Sequence, residues 1–265
     1  MIKEKHLPHA IFLDIDGTLL GSAKATDLLG GKLSKRNIKA IKKAQSLGHK
    51  ILINTGRGYS GLPLSFLDGE VKFDGFVTAL GARVDVGGIT LLEKAIDDKI
   101  LDETVEYALN NKKGCRFQGD KSRIAISFDY DYGEQWTSVS SKEEFFNSLD
   151  GKIHKITVDS GLDGEYRNFL SERYNMYMHT ESAGEGTSFG TDKAFGMMIA
   201  LGFLDIPPER SIAMGDSIND VDMFNAAGTS VAMGNANDAI KAFCDMVTAA
   251  NLEDGVAVAL EKLLF

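Results

Sequence analysis

The sequence predicts an α/β protein: a doubly wound parallel sheet interrupted by an inserted α+β unit. Three observations carry this prediction. Short apolar runs at residues 10–13 and 49–53 each end in a polar turn. A segment of helical periodicity lies between them. The same β–loop–α alternation then returns at residue 192, after a long stretch of different texture. Strands alternating with helices are the pattern of a parallel sheet with crossover connections.

Each element has a local reason. Ala10-Ile11-Phe12-Leu13 is an apolar run of the kind buried on both faces of a parallel sheet. It ends in Asp14-Ile15-Asp16-Gly17-Thr18. Ser34 is placed to cap a helix through Leu47, with Ile38, Ile41, Ala44 and Leu47 at helical spacing and Gly48 after it. Residues 49–53 form a second strand ending at Asn54-Thr55-Gly56-Arg57, and residues 76–78 a third. In such sheets the ligand crevice lies beyond the carboxyl ends of the strands, where both polar turns fall.

From residue 83 to residue 185 the texture is that of a separate unit. Half-exposed strands are expected at 123–128 and 152–158, and helices at 97–110, 142–149 and 162–174, giving a sheet with one open face. Its many aromatic residues read as the core of a small domain. The first pattern then resumes with a helix from 192 to 201 and a strand at 211–214. The loop Gly215-Asp216-Ser217-Ile218-Asn219-Asp220 follows, then a helix at 221–227, a strand at 230–233 and a helix at 238–243. The expected organisation is a discontinuous core, residues 1–82 and 186–265, with residues 83–185 inserted as a second domain.

Bulk properties narrow the function classes. The chain has 265 residues, 43% hydrophobic and 25% charged, with a net charge of −9. That acidic balance argues against a general nucleic-acid binder. It leaves a phosphorylated substrate open, because a bound cation can reverse the local field. The apolar runs are far shorter than the ~20 residues of a spanning helix, and the N-terminus lacks a signal-peptide pattern. No membrane partner is expected, and the cytoplasm is the expected location. Cys115 and Cys244 are far apart and form no CxxC pair.

Four polar clusters follow or open core elements: Asp14 and Asp16 with Thr18; Thr55 with Gly56; Lys193; and Asp216 with Asn219 and Asp220. A parallel sheet brings all four to one edge. Several carboxylates together repel one another unless a cation is present. Oxygen donors without His or Cys select a hard ion, Mg²⁺ before Zn²⁺. A lysine and a threonine hydroxyl beside them would hold an anion, so the expected substrate is a phosphate. A carboxylate can attack phosphorus to give an aspartyl-phosphate. A second carboxyl then protonates the leaving alkoxide and later deprotonates water. Asp14 and Asp16, spaced i, i+2, can divide those tasks. Each cluster taken alone also fits turn chemistry, a helix cap or a solvated side chain.

The sequence closely resembles the haloacid dehalogenase superfamily of phosphatases. Asp14-Ile15-Asp16-Gly17-Thr18-Leu19-Leu20 matches its first motif and Asn54-Thr55-Gly56-Arg57 its second. Lys193 matches the third, and Gly215-Asp216-Ser217-Ile218-Asn219-Asp220 the fourth. Met223 through Gly228, Val231 through Ala236 and Asn251 through Val256 resemble the Cof-type subfamily, class IIB with a C2-type cap.

The resemblance implies a Rossmann-like core and a mobile cap that closes over the site. It implies Asp14 as nucleophile and metal ligand. Asp16 would be the general acid/base, lending its backbone carbonyl to the metal. Thr55, Gly56, Lys193 and Asn219 would bind the phosphoryl group, and Asp216 and Asp220 would complete the Mg²⁺ site. Two departures stand out. Leu80 replaces an Asn of the family pattern, and residues 182–187 lack the Glu-Ile pair usual near the hinge.

The expected partner is a small phosphorylated metabolite of the sugar phosphate, nucleotide or pyridoxal phosphate kind. The expected assembly is a monomer or small homo-oligomer. Alternatives are a phosphoryl transferase or mutase using the same intermediate, and a phospho-aspartate signalling switch. The switch is opposed by the long insertion and by the presence of Asp16. A non-catalytic binder on this scaffold would be expected to lose one of the four clusters. Among the inserted residues, Arg116, Arg123, Tyr130, Trp136 and His179 are candidates for contact with the leaving group.

Overall fold

A computed structural model of the chain describes residues 7–21 and 31–265. The first strand, β1 (Ala10–Leu13), is buried throughout. The helix α1 (Lys35–Ser46) begins at Ser34, whose hydroxyl accepts from Asn37 N–H at 3.0 Å. It leads into β2 (Lys50–Asn54), the single-turn α2 (Leu64–Leu67) and β3 (Gly75–Thr78). A hairpin follows, β4 (Arg83–Val86) and β5 (Ile89–Glu93), turning at Gly87 and Gly88 with φ of 59° and 80°.

The inserted unit contains α3 (Asp98–Asn110), β6 (Cys115–Gly119), β7 (Arg123–Ile126), β8 (Thr137–Val139) and α4 (Lys142–Ser148). It continues with β9 (Ile153–Val158), α5 (Gly164–Ser171), β10 (Asn175–Thr180) and β11 (Ala183–Thr187). The chain returns through α6 (Lys193–Leu204), β12 (Ser211–Gly215), α7 (Val221–Ala226) and β13 (Thr229–Ala232). It ends with α8 (Asp238–Lys241), β14 (Met246–Val247) and α9 (Gly255–Leu264).

The larger sheet has the order β14-β13-β12-β1-β2-β3-β4-β5. Pairing is parallel from β14 to β3 and antiparallel beyond. Alternation along the strands builds two cores. Ile11 and Leu13 face one side with Ile51, Ile53 and Met214, covered by α1 and α9. Ala10, Phe12, Leu52 and Ala213 face the other with Met197, Leu201 and Phe224 of α6 and α7. Successive connections move away from β1 through β2 on one side and from β12 through β13 on the other. The switch point therefore lies between β1 and β12, where a ligand crevice is expected.

The second sheet has the order β10-β11-β9-β6-β7-β8. Its helices α3, α4 and α5 cover one face and close a separate core around Phe117, Phe145, Ile156 and Tyr166. The other face carries Arg116, Lys155, Thr157, Glu185 and Tyr177 and turns toward the end of the larger sheet. Cross-strand register sets Arg116 beside Thr157, Thr157 beside Glu185 and Glu185 beside Tyr177.

Sheet membership changes later than the sequence suggested. An insertion starting at residue 83 would include β4 and β5, but these strands extend the larger sheet, with Phe76 opposite Asp85 and Val77 opposite Val84. A half-exposed antiparallel edge on a parallel sheet has the same alternating texture as the inserted strands, which explains the misplacement. Likewise β11 keeps residues 186 and 187 in the second sheet. The two connecting segments touch: Lys94 Nζ donates to Phe189 O at 2.6 Å and Ser188 Oγ to Ala95 O at 3.1 Å. Among the described residues, no helix is long and apolar enough to cross a membrane.

One close approach positions the start of α6. Gly81 has φ of +82°, and a Cβ there would lie 2.0 Å from Asp192 O. A Cβ on Gly196 would lie 2.9 Å from Gly81 Cα. The missing side chains let the first turn of α6 press onto the β3–β4 turn. Gly81→Ala is expected to cost about 1–3 kcal/mol through overpacking and positive-φ strain. A thermal melt should show Tm lower by several degrees; an unchanged Tm would mean that the two backbones can separate freely.

Candidate active site

Asp14 follows β1 directly, and its N–H donates to Met214 O at 3.0 Å, fixing it against the end of β12. The turn after it depends on Gly17, at φ +79°, where a Cβ would lie 2.2 Å from the Asp216 carboxylate. Only glycine lets the first and fourth polar loops meet this closely. Asn235 Nδ2 donates to Gly17 O at 2.9 Å, and Asn251 Nδ2 to Leu20 O at 2.8 Å, so the C-terminal loops brace the same turn.

Lys193 opens α6 behind an N-cap, Asp192, whose carboxylate accepts from Phe195 N–H. Its side chain is wholly buried. The ammonium donates to Asp14 Oδ1 at 2.8 Å and Asp220 Oδ1 at 2.5 Å. The second Asp220 oxygen accepts the N–H groups of Asp216 and Ser217, each at 2.9 Å. Asp220 thus ties the lysine to the loop that carries Asp216.

Asp14, Asp216 and Asp220 offer oxygens that all lie within 4.8 Å of one another. Three carboxylates against one lysine leave uncompensated negative charge, and an oxygen-only donor set fits a hard divalent cation. Without such a cation the charges oppose one another. Burial, outweighing the attraction of Lys193, pushes the Asp14 carboxyl well above its ordinary range, with help from Asp220, Asp16 and Asp216. Burial and then Asp220 push Asp216 up to about 7. Lys193 is raised despite its burial, because Asp14 and Asp220 hold its proton.

A cavity of about 410 Å³ opens above this cluster. It is lined from below by Asp14, Asp16, Thr55, Gly56, Asp216 and Asn219, while Lys193 and Asp220 lie beneath as supports. The eight residues of the four polar clusters other than Thr18 are therefore brought to one place. The carboxylate of Asp16, however, lies outside the group of three. Arg57 holds it from Nε at 2.8 Å and Nη2 at 2.7 Å, as a bidentate ion pair. The hydroxyl of Thr55 accepts from Arg57 N–H at 3.2 Å.

The second sheet roofs the cavity. Arg116 and His179, candidates from the sequence, line it; Arg123, Tyr130 and Trp136 do not. Trp136 instead packs against Arg116, whose guanidinium lies 4.8 Å from the ring centroid. Sequence reasoning missed Gln118, Lys155, Thr157, Asp159 and Glu185, all of which line the roof. Their signal was strand alternation: in β6, Cys115 and Phe117 enter the core, so Arg116 and Gln118 must face the other way.

Several roof residues also bind the floor. Lys155 Nζ donates to Gly56 O at 2.7 Å and pairs with Glu185. Glu185 accepts from Asn219 Nδ2 at 3.0 Å. Gly58 N–H donates to Gln118 Oε1 at 3.0 Å. Although burial would raise the Glu185 carboxyl, Lys155 and His179 hold it well below the ordinary carboxylate range.

The two sequence departures resolve differently. Leu80 is buried, does not line the cavity, and takes φ of +52°, with its N–H donating to Thr55 O at 3.2 Å. It braces the Thr55 loop through backbone alone. The unusual segment 182–187 contributes Glu185, the most connected carboxylate of the roof.

A family model described as haloacid dehalogenase-like hydrolase matches residues 11–260. A curated relative from Bacillus subtilis, 5-amino-6-(5-phospho-D-ribitylamino)uracil phosphatase YcsE, is 30% identical over 262 residues, spanning 94% of this chain and 93% of its own. The chloroplastic endoribonuclease YBEY of Arabidopsis thaliana is 27% identical over 96% of this chain. The match spans only 46% of that longer protein, so the longer protein's printed activity says nothing of this region. A solved HAD subclass IIB sugar phosphatase, BT4131, superposes with TM-score 0.79 at 25% identity, covering 96% of this chain and 98% of the other.

The raised Asp216 carboxyl gives a stability prediction. Its folded value lies above the unfolded one, so folding favours the protonated form. The cost of its charge is absent below the ordinary carboxylate range and grows as pH rises through about 7. In EDTA at pH 7.5, Asp216→Asn is expected to melt higher than wild type, and Mg²⁺ is expected to raise wild-type Tm more than that of the variant. A variant that melts lower in EDTA and responds equally to Mg²⁺ would contradict the charge cluster.

Proposed function

The chain belongs to the haloacid dehalogenase-like hydrolases, and from that premise we propose that it is a Mg²⁺-dependent phosphatase of small phosphomonoesters. The observation that carries this reading is the buried Lys193 held between Asp14 and Asp220, directly below a cavity and beside Asp216. Phosphatase names among its relatives support the same class.

Asp14, Asp216 and Asp220 would hold Mg²⁺, which when bound offsets negative charge on the phosphate and on the carboxylates. Asp14 is the nucleophile, with Lys193 orienting its carboxylate from one side so that the free oxygen faces the cavity. That oxygen attacks phosphorus, the bond from phosphorus to the ester oxygen breaks, and an aspartyl-phosphate forms. Asp16 delivers a proton to the departing alkoxide. In the second half, Asp16 takes a proton from water. The resulting nucleophile attacks phosphorus, the bond to Asp14 breaks, and inorganic phosphate leaves.

Thr55, the backbone around Gly56 and Asn219 border the space the phosphoryl oxygens would occupy. The bidentate Arg57 pair occupies both Asp16 oxygens, so the acid role requires that a bound ester draw Asp16 away from Arg57. A roof that shuts out water protects the first half-reaction from premature hydrolysis.

Asp14→Asn is expected to lower kcat by at least a thousandfold with no loss of fold; retention of near-normal turnover would remove the nucleophile assignment. Asp16→Asn should slow the second half-reaction and leave a phosphorylated protein, seen as the added mass of one phosphoryl group after brief exposure to acetyl phosphate. Chelation should silence the wild type and Mg²⁺ restore it.

A further inference from the structure

We propose that the junction between the two sheets is a proton-operated hinge: protonation of the His154 imidazole favours an arrangement in which the second sheet has swung away from the floor. The proposal concerns the junction alone and stands or falls apart from the phosphatase reading.

The argument starts from a conflict in the sequence. In β9, Ile153-His154-Lys155-Ile156-Thr157-Val158, the side chains of Ile156 and Val158 enter the core of the second sheet. Strict alternation would send His154 there as well and keep Ile153 out. A β-bulge resolves the conflict. Gln118 lies opposite Lys155 and Gly119 opposite Ile153, which leaves His154 without a partner on β6. The bulge needs the glycine, because a Cβ on Gly119 would lie 1.8 Å from Lys152 O. Ile153 then joins the core, and His154 Nε2 lies 3.5 Å from Glu93 Oε1 at the end of β5. The connector beside it is fixed to the same strand by Ile96 N–H, which donates to Ile153 O at 2.8 Å.

The ring is costly where it stands. It has no exposure to solvent, and among the described residues neither nitrogen has a hydrogen-bond partner. A neutral imidazole carries one donor and one acceptor, and leaving both unpaired away from water is unfavourable. Glu93 cannot serve it well, because both carboxylate oxygens are already engaged. Oε1 accepts from Arg83 Nη1 at 2.8 Å and Oε2 from Lys152 Nζ at 3.0 Å.

A proton on the ring sets a third cation beside that one carboxylate. The charged neighbours come from both sheets: Glu93 and Arg83 from the β4–β5 hairpin, Asp120 and Lys152 from the turns flanking β6 and β9. Arg83 is also bound to Asp85 on its own strand, at 2.8 Å. Burial holds the imidazole below its ordinary value; Glu93 and Asp120 pull it upward, and Arg83 and Lys152 push it further down. The sign follows from linkage. A ring that resists its proton in the buried arrangement takes it up more readily in water, so acid favours the arrangement in which the ring is hydrated. The effect is absent well above the ordinary histidine range, near about 6.5, and grows as pH falls through it. Because each sheet supplies two of the four neighbours, moving the sheets apart is the motion that opens the ring to solvent. The apolar cores of the two sheets are separate, so no shared packing opposes that motion.

The chain supplies its own probe. Trp136 is its single tryptophan and lies in the inserted unit; Cys244 is partly exposed beside the larger sheet, and Cys115 is buried. An aminonaphthalenesulfonate label on Cys244 accepts energy from Trp136. Transfer is followed on the 265-residue chain, in EDTA and without ligand, from about pH 8 to about pH 5, across the ordinary histidine range. In the wild type, transfer should fall on acidification by an amount equivalent to a loss of about tenfold or more in the ratio of closed to open molecules. His154→Gln, neutral throughout, should hold that ratio within about twofold. Asp216 and the other histidines are common to both proteins, so the difference between them reports His154 alone. An equal acid response in the two, or a wild type that does not respond, would overturn the proposal.

A second variant keeps the test decisive if Gln is not tolerated at a buried position. Lys152→Met removes a competing cation and frees Glu93 Oε2 for the protonated ring, so the acid response should shrink to about threefold or less. A response as large as that of the wild type would defeat the assignment of the hinge to this cluster.

Discussion

The arrangement of the site depends on a single buried ammonium. Lys193 has no access to solvent, and its compensation comes from Asp14 on one side and Asp220 on the other. Truncating one partner of such a pair leaves an uncompensated buried charge, at a cost of about 3–5 kcal/mol. This obliges three distant stretches of chain to meet: the end of β1, the start of α6 and the loop after β12. The same pairing sets the direction of Asp14. One oxygen is held by the lysine, and the other remains for chemistry at the cavity floor. Because Asp220 spends its second oxygen on the backbone of Asp216 and Ser217, the loop carrying Asp216 is fixed by the same network.

Sheet topology makes the meeting possible, and absent side chains make it tight. Strand order reverses between β1 and β12, so the loops leaving these neighbours diverge and open a crevice. Into that crevice the fold must press two acidic loops against each other. At Gly17 a Cβ would fall on the Asp216 carboxylate, and at Gly215 one would lie 2.3 Å from Asp220 Cγ. Repulsion among the acids is therefore held in place by backbone contact, with the lysine as partial compensation. A site strained in this way is receptive to a divalent cation because the opposing charges cannot move apart.

Much of this was legible in the sequence, for physical reasons that differ between the two sheets. The core strands are apolar on both faces and end in Asp, Asn and Gly, so position and direction read directly from residue type. The motif residues Asp14, Thr55, Lys193 and Asp216 could be placed together because parallel strands leave their turns on one edge. The edge hairpin β4–β5 could not be assigned, since Arg83 and Asp85 alternate with Val84 and Val86 as the inserted strands do. Long-range partners were hidden as well. Nothing in the string Thr55-Gly56-Arg57 says that Arg57 will grip Asp16 from across the loop. Lys155 and Glu185 lie thirty positions apart on strands whose pairing no local pattern specifies. Strand alternation in β6 and β9 did contain the needed information, because the face opposite Phe117 and Ile156 had to be polar.

That polar face gives the molecule a coupling between shutting and choosing. Lys155 and Glu185 each make two kinds of contact: one with the floor, at Gly56 O and Asn219, and one with the space a leaving group would fill. The described roof contacts to the floor run through hydrogen bonds such as these and Gln118 to Gly58 N–H, with the apolar cores of the two sheets remaining separate. Hydrogen bonds exchanged with water contribute only about 0.5–1.5 kcal/mol each, so a roof held this way gains little by closing on an empty floor. A ligand whose groups complete the bonding of Lys155 and Glu185 adds to the closed state and not to an open one, and the population shifts by that difference alone. A poorly matched ester leaves the same two residues partly unpaired when the roof comes down.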